Sequence, residues 1–206
     1  MLEPFVRHTG RVAVLRRDNV DTDQIIPSRE MKSVSRTGLG EGLFAGWRYV
    51  EAGGRLPNPD FILNKPGQRR ATVLVSGRNF GCGSSREHAV WALADYGFRV
   101  IIAESFGEIF YGNCIINGIL PIVMDRAKLQ ALSPHAVIDL TLDLKTQTVS
   151  WPDHPDWSTM FSIDSYAKRL LISGLDSIRL TQEKTEQIDA FLRQDAEARP
   201  WIYQTY

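Results

Sequence analysis

An alternation of two periodicities between residues 71 and 124 limits the possible folds more than any other feature of this chain. Three apolar runs, ATVLVS at 71–76, RVIIA at 99–103 and ILPIVM at 119–124, are too brief for helices and rich in β-branched residues. Between the first two lies REHAVWALADY at 86–96, where Ala89, Ala92, Leu93 and Tyr96 share one face at helical spacing. Gly97 is placed to end that helix in the left-handed conformation. Between the second and third runs, Ser105-Phe106-Gly107-Glu108 has the spacing of a capping box for a short helix that stops near Gly112–Asn113. The order strand, helix, strand, helix, strand argues for a parallel βαβ core, so an α/β fold class is expected.

The flanks add smaller elements. RVAVL at 11–15 is a further strand pattern, and AVIDLTLDLKTQTVSW at 136–151 alternates apolar and polar residues like an antiparallel hairpin. The tail from about 162 to 206 reads as two helices, SIDSYAKRLLIS closed by Gly174 and TQEKTEQIDAFLRQDAEA opening near Thr181. Residues 31–56 carry six glycines with little periodicity and read as a long excursion or lid, with YVEAGGRL at 49–56 forming a small hairpin inside it. A chain of 206 residues suits one domain over 1–206, burying roughly 70% of its unfolded surface.

Composition narrows the function classes. Twenty-four basic residues balance twenty-four acidic ones, so no basic field calls for nucleic acid or an anionic membrane. No run approaches the roughly 18 apolar residues of a spanning helix, and MLEPFVRHTG lacks the apolar core of a signal peptide. With only Cys82 and Cys114, a disulfide framework is not expected and a cytoplasmic setting is. Neither Cys-x-x-Cys pairs nor a Cys/His cluster occurs, so no metal or cluster is expected on this chain.

The residues that carry chemistry are GRNFGCGSSREH at 77–88. A dinucleotide loop fits poorly, because Arg86 stands where the third glycine of GxGxxG belongs, and no Gly-Lys-Ser/Thr follows for a P-loop. Gly-x-Ser-x-Gly is also broken, which leaves a serine–histidine triad unsupported, and His88 reads as structural. A plain capping box, with Ser84 as cap and Glu87 reaching back, explains two residues and leaves the arginine unexplained, since a helix N-terminus slightly disfavours cations. A carboxylate site uses all of them. Glycines allow close approach, the N-terminal N–H groups attract an anion, and Arg86 offers a bidentate grip. Ser84 stands at its centre, able to act as a base if those N–H groups hold the alkoxide charge.

The stretch GRNFGCGSSREHAVWALADYGFRVIIAESFGEIFYGNCIINGILPI resembles the C-terminal swivelling domain of the aconitase superfamily. FVRHTG at 5–10, NVDTDQIIPSR at 19–29, SRTGLGEGLF at 35–44, PNPDFILN at 57–64 and GLDSIRLT at 174–181 are similar to bacterial small subunits of 3-isopropylmalate dehydratases. The resemblance implies a swivelling β/β/α domain and a heteromeric hydro-lyase, active only with a large subunit that carries a [4Fe–4S] cluster. That enzyme isomerises 2-isopropylmalate and 3-isopropylmalate through isopropylmaleate in leucine biosynthesis. The family's base serine falls on Ser84 and its substrate-carboxylate arginine on Arg86, with Ser85 helping to orient a small dicarboxylate and Asp23 at the site's edge. The loop after Pro27 would approach the substrate's variable group, with Arg36 as the contact and Arg29 or Lys32 as alternatives. Two other readings stay open: the same chemistry on citraconate/methylmalate or dimethylmalate, and a non-catalytic assembly subunit. An exposed lid also implies that residues 31–56 are disordered when the large subunit is absent.

Overall fold

The computed structural model describes residues 2–31, 35–132 and 137–203. In chain order its elements are β1 (Arg7–Val14), α1 (Thr22–Ile25), α2 (Ala45–Arg48), β2 (Val73–Val75), α3 (Glu87–Tyr96), β3 (Val100–Ala103), α4 (Glu108–Ile116), β4 (Leu120–Val123), α5 (Arg126–Gln130), β5 (Asp139–Asp143), β6 (Thr148–Ser150), β7 (Ser158–Met160), α6 (Ser165–Ser173), α7 (Ser177–Gln182) and α8 (Thr185–Ala198). Seven strands form one sheet in the order β4-β3-β2-β1-β5-β6-β7. The first four are parallel, with Val12, Ala13 and Val14 opposite Val73, Leu74 and Val75. From β1 onward the sheet turns antiparallel through β5, β6 and β7.

The parallel strands read as unbroken apolar runs because both of their faces are covered. Val12, Val14, Val73, Val75, Val100 and Ile102 point into one core with Leu120, Leu140, Leu142 and the inner face of α6. Their neighbours Ala13, Leu15, Leu74, Ile101 and Ala103 point into the other, beneath α1, α3 and the residues around Phe44. α3 buries Ala89, Val90, Ala92 and Leu93 and ends at Gly97, whose φ of +115° and bonds to the Ala94 and Leu93 carbonyls close the helix.

Several expectations need revision. The capping box at Ser84–Glu87 does not form: Arg86 is the N-cap of α3, with no side-chain hydrogen bond to the helix. Gly107, not Ser105, caps α4, and the Ser105 hydroxyl accepts from the Asn79 amide 2.8 Å away. The second tail helix is two pieces, because Asp176 caps α7 and the chain breaks at Glu183–Lys184 before α8. Within 31–56, Leu39, Leu43, Phe44 and Ala45 are no more than 4% exposed and belong to the core. Phe44 adopts a left-handed φ of +51°, donates its amide to the Ile25 carbonyl at 2.7 Å and stacks on Trp47. The exposed strip of the excursion among the described residues is therefore Ser35–Gly38, together with the turn around Gly53. Lys32 lies outside the described residues.

Candidate active site

The site grows from the connection between β2 and α3. Phe80 is fully buried, its amide held by the Ser105 carbonyl at 3.0 Å. Gly81 follows with φ of +74°, and its α-carbon lies so close to Phe110 that three ring carbons would sit within 2.6 Å of any Cβ. Its amide donates to the Val20 carbonyl at 2.7 Å. The Thr22 amide donates to the Cys82 carbonyl at 2.9 Å, and the Thr22 hydroxyl to the Ser84 carbonyl at 3.1 Å. Residues 20–22 and 81–84 thus run side by side, and the loop is fixed on its inner edge.

Its outer edge faces solvent. Gly83, Ser84 and Ser85 are exposed, and among the described residues neither serine hydroxyl has a hydrogen-bond partner. The backbone amides of Ser84, Ser85, Arg86, Glu87 and His88 likewise find no acceptor among the described residues, as expected for the orphan donors of a helix start. Arg86 reaches back to Asp23, with Nη1 2.5 Å from Oδ1. Asp23 is held in the first turn of α1, whose cap is Asp21: the Asp21 carboxylate accepts from the Gln24 amide at 2.7 Å and the Gln24 side chain answers. The structure therefore brings Ser84, Ser85, Arg86 and Asp23 into one cluster of hydroxyls, amide donors and a guanidinium–carboxylate pair. Donors of this kind can pair with a carboxylate and stabilise negative charge that develops beside them.

Arg36, in the Ser35–Gly38 strip, packs against the start of α3 beside this cluster. Its guanidinium lies 4.9 Å from the centre of the Trp91 ring and 3.9 Å from Glu87 Oε1. The same Glu87 oxygen accepts from Trp91 Nε1 at 3.1 Å and from Asn117 Nδ2 at 3.0 Å. Glu87 is thus a hub joining α3, the end of α4 and the 35–38 strip, a role that its place after Arg86 does not announce. Arg29, by contrast, pairs with Glu30 at 3.5 Å. His88 packs against Trp91 with ring centres 4.7 Å apart, in agreement with a structural histidine.

Neither cysteine is set up as a nucleophile. Burial raises the Cys82 thiol above its ordinary range, and the nearby Asp21 charge raises it further. Cys114 is fully buried and its thiol is pushed well up. Among the described residues no group of three or more His, Cys, Asp or Glu side chains is arranged to hold a metal.

A model of the aconitase C-terminal domain matches residues 2–127. A curated relative from Cupriavidus necator, named 3-isopropylmalate dehydratase small subunit, is 49% identical over 207 residues and spans 98% of this chain and 99% of its own. A Brucella canis protein of the same name is 50% identical over 204 residues, covering 97% of this chain and all of its own. The chain belongs to the family of 3-isopropylmalate dehydratase small subunits. A crystal structure titled 3-isopropylmalate dehydratase from Methanocaldococcus jannaschii is 26% identical and covers 89% of this chain and 99% of its own, with a TM-score of 0.65. The expected α/β fold and its kinship to the aconitase C-terminal domain therefore hold. Of the residues that build this site, Asn117 and Thr22 were passed over in the sequence, and Glu87 was read only as part of a capping box. Thr22 had a readable neighbour, since Asp21-x-x-Gln24 is a capping-box pattern.

Proposed function

We propose that this chain is the small subunit of a 3-isopropylmalate dehydratase and supplies the base and the carboxylate grip of an active site completed by a large subunit. The observation that carries the reading is the exposed Ser84–Ser85 edge beside Arg86 at the start of α3, with its hydroxyls and amides unpartnered among the described residues. It occurs in a chain half identical along its length to proteins of that name. A site so open has to be closed by another surface before it can exclude water.

Arg86, oriented by Asp23, binds one substrate carboxylate, and the amides of Ser85 to His88 bind it from the side. Ser84 takes a proton from the carbon next to a carboxylate as the hydroxyl on the neighbouring carbon departs. It returns the proton when water adds back at the other position. The alkoxide form this requires is favoured by the same amide donors once the partner excludes water. Arg36, beside the α3 start, contacts the second carboxylate or the partner. The cluster that the resemblance places on the large subunit supplies Lewis-acid polarisation of the departing hydroxyl. This chain is assigned only the proton and carboxylate work. The Ser35–Gly38 strip, within the 31–56 excursion, serves as the lid and the setting is the cytoplasm.

The test is reconstitution. The purified chain is mixed anaerobically with a cluster-loaded large subunit, and isopropylmaleate formation is followed by ultraviolet absorbance. Activity is expected in the mixture only. Ser84→Ala should assemble and lose at least ~100-fold in turnover, the size of a general-base contribution. Turnover by this chain alone, or an active Ser84→Ala mixture, would overturn the assignment. Preference for citramalate would keep the chemistry and change the substrate.

A further inference from the structure

α8 is fourteen residues long and buries none of them. An isolated helix of that length is marginal in water, and in proteins its stability comes from covering an apolar face. The face exists. Ile188, Phe191 and Leu192 are 39%, 60% and 43% exposed and stand at i, i+3 and i+4. At about 100° per residue, Asp195 falls on the same stripe. Beyond the helix the chain folds back onto that stripe: the Tyr203 hydroxyl donates to Asp195 Oδ2 at 2.8 Å, which holds Trp201 and Ile202 exposed beside it. Phe191 and Trp201, 60% and 66% exposed, together present on the order of 300 Å² of aromatic surface. Apolar surface of that order on a monomer is often functional.

The position of the stripe says what covers it. A concave groove between α7 and α8 is lined by Ser177, Ile178, Thr181, Gln182, Thr185 and Ile188. A second hollow, of about 430 Å³, shares Ser177 and runs through Leu175 and Ile116 to Arg36 and Glu87. One surface therefore continues from the α3 end of the candidate active site to the stripe on α8. The large subunit must cover the first, so the same partner reaches the second.

We propose that α7, α8 and the Pro200–Tyr203 turn are a docking element for the large subunit, seated when the two chains close over the active site. The inference rests on the function proposed above and names where the partner binds. In a binding assay between full-length chain and large subunit, Phe191→Ser/Leu192→Ser should weaken affinity at least tenfold. Arg193→Ala, on the opposite side of the same helix, should leave affinity unchanged. Neither change touches a buried residue, so far-UV circular dichroism and the thermal midpoint should match the parent. As an independent reading, hydrogen exchange at the amides of 185–198 should slow by at least tenfold when the large subunit is added. Assembly of the parent with no effect of the double variant and no added protection refutes this inference and spares the function. Failure of the parent itself to assemble refutes the function. Self-association of the parent, abolished in the double variant while affinity for the large subunit is kept, assigns the face to a second copy and also overturns it.

Discussion

Replacing Gly81 by alanine should be one of the most damaging small changes available in this protein, and the structure separates two reasons. The first is conformational: φ is +74°, a region that costs an L-residue about 1 kcal/mol or somewhat more. The second is spatial. The new methyl would meet three Phe110 ring carbons within 2.6 Å, where ordinary carbon contacts lie at about 3.5–4.0 Å. Phe110 cannot swing aside, being 3% exposed and packed edge-on against Phe80 with ring centres 5.5 Å apart. Overpacking of this kind costs about 1–3 kcal/mol, so the total is about 2–4 kcal/mol. For a chain of this length that lowers the thermal midpoint by about 4–16 °C. Gly97 supplies the control: its φ of +115° is at least as strained for alanine, yet beyond its chain neighbours no atom lies within 4 Å of where a Cβ would sit. The assay is thermal unfolding by circular dichroism of Gly81→Ala and Gly97→Ala side by side. If Gly81→Ala is no more destabilising than Gly97→Ala, the close approach to Phe110 is not what shapes the loop. In that case the account of how Ser84 is held fails with it.

Two further outcomes follow from the charged groups. Asp23→Ala should raise KM about three- to tenfold in the reconstituted enzyme, because Arg86 must then be ordered by the substrate itself, at about 0.5–1.5 kcal/mol for such a side chain. The thermal midpoint should move little, since the pair is 27% and 53% exposed, and a lower KM would show that Asp23 competes with substrate. His8, 2.7 Å from the Thr72 hydroxyl, is held below its ordinary 6.5 by burial first and by Arg99 second, against the opposing charge of Glu3. Its unfolded form therefore binds the proton more tightly, so stability is full above pH 6.5 and falls as pH drops through that value. Urea midpoints at pH 7.5 and 5.5 should differ more in the parent than in His8→Gln, and an equal difference would remove His8 from the account.

The parallel half of the sheet was legible because β2, β3 and β4 are apolar on both faces and punctuated by helices of clear period. β7 was not, because Ser158–Met160 buries only Thr159 and leaves Met160 74% exposed, which gives no alternation to detect. The division of the tail was missed because α7 depends on Asp176 as a cap and on Leu180 as its one buried residue, a weak local signal. At the site, motif and chemistry could be read from Ser84 and Arg86, but their surroundings could not. The Ser84 carbonyl is held by Thr22 across 62 residues of sequence and the Arg86 guanidinium by Asp23 across 63. A local capping box at Ser84 lost to those long-range bonds. Arg36 was found by resemblance, and the Glu87 carboxylate that meets it was mistaken for a cap.

The pairing of residues 20–22 with 81–84 separates what can drift from what cannot. Three hydrogen bonds, from the amides of Gly81 and Thr22 and the hydroxyl of Thr22, set the height and direction of the reactive edge. All three join residues that lie outside the excursion, which begins after Pro27 and re-enters the core at Leu39. Residues can be inserted, deleted or exchanged in that span without stretching any of these bonds. Under the function proposed above, Ser84 keeps its place while the neighbouring wall is redrawn, so one elimination can be offered to a succession of differently branched acids.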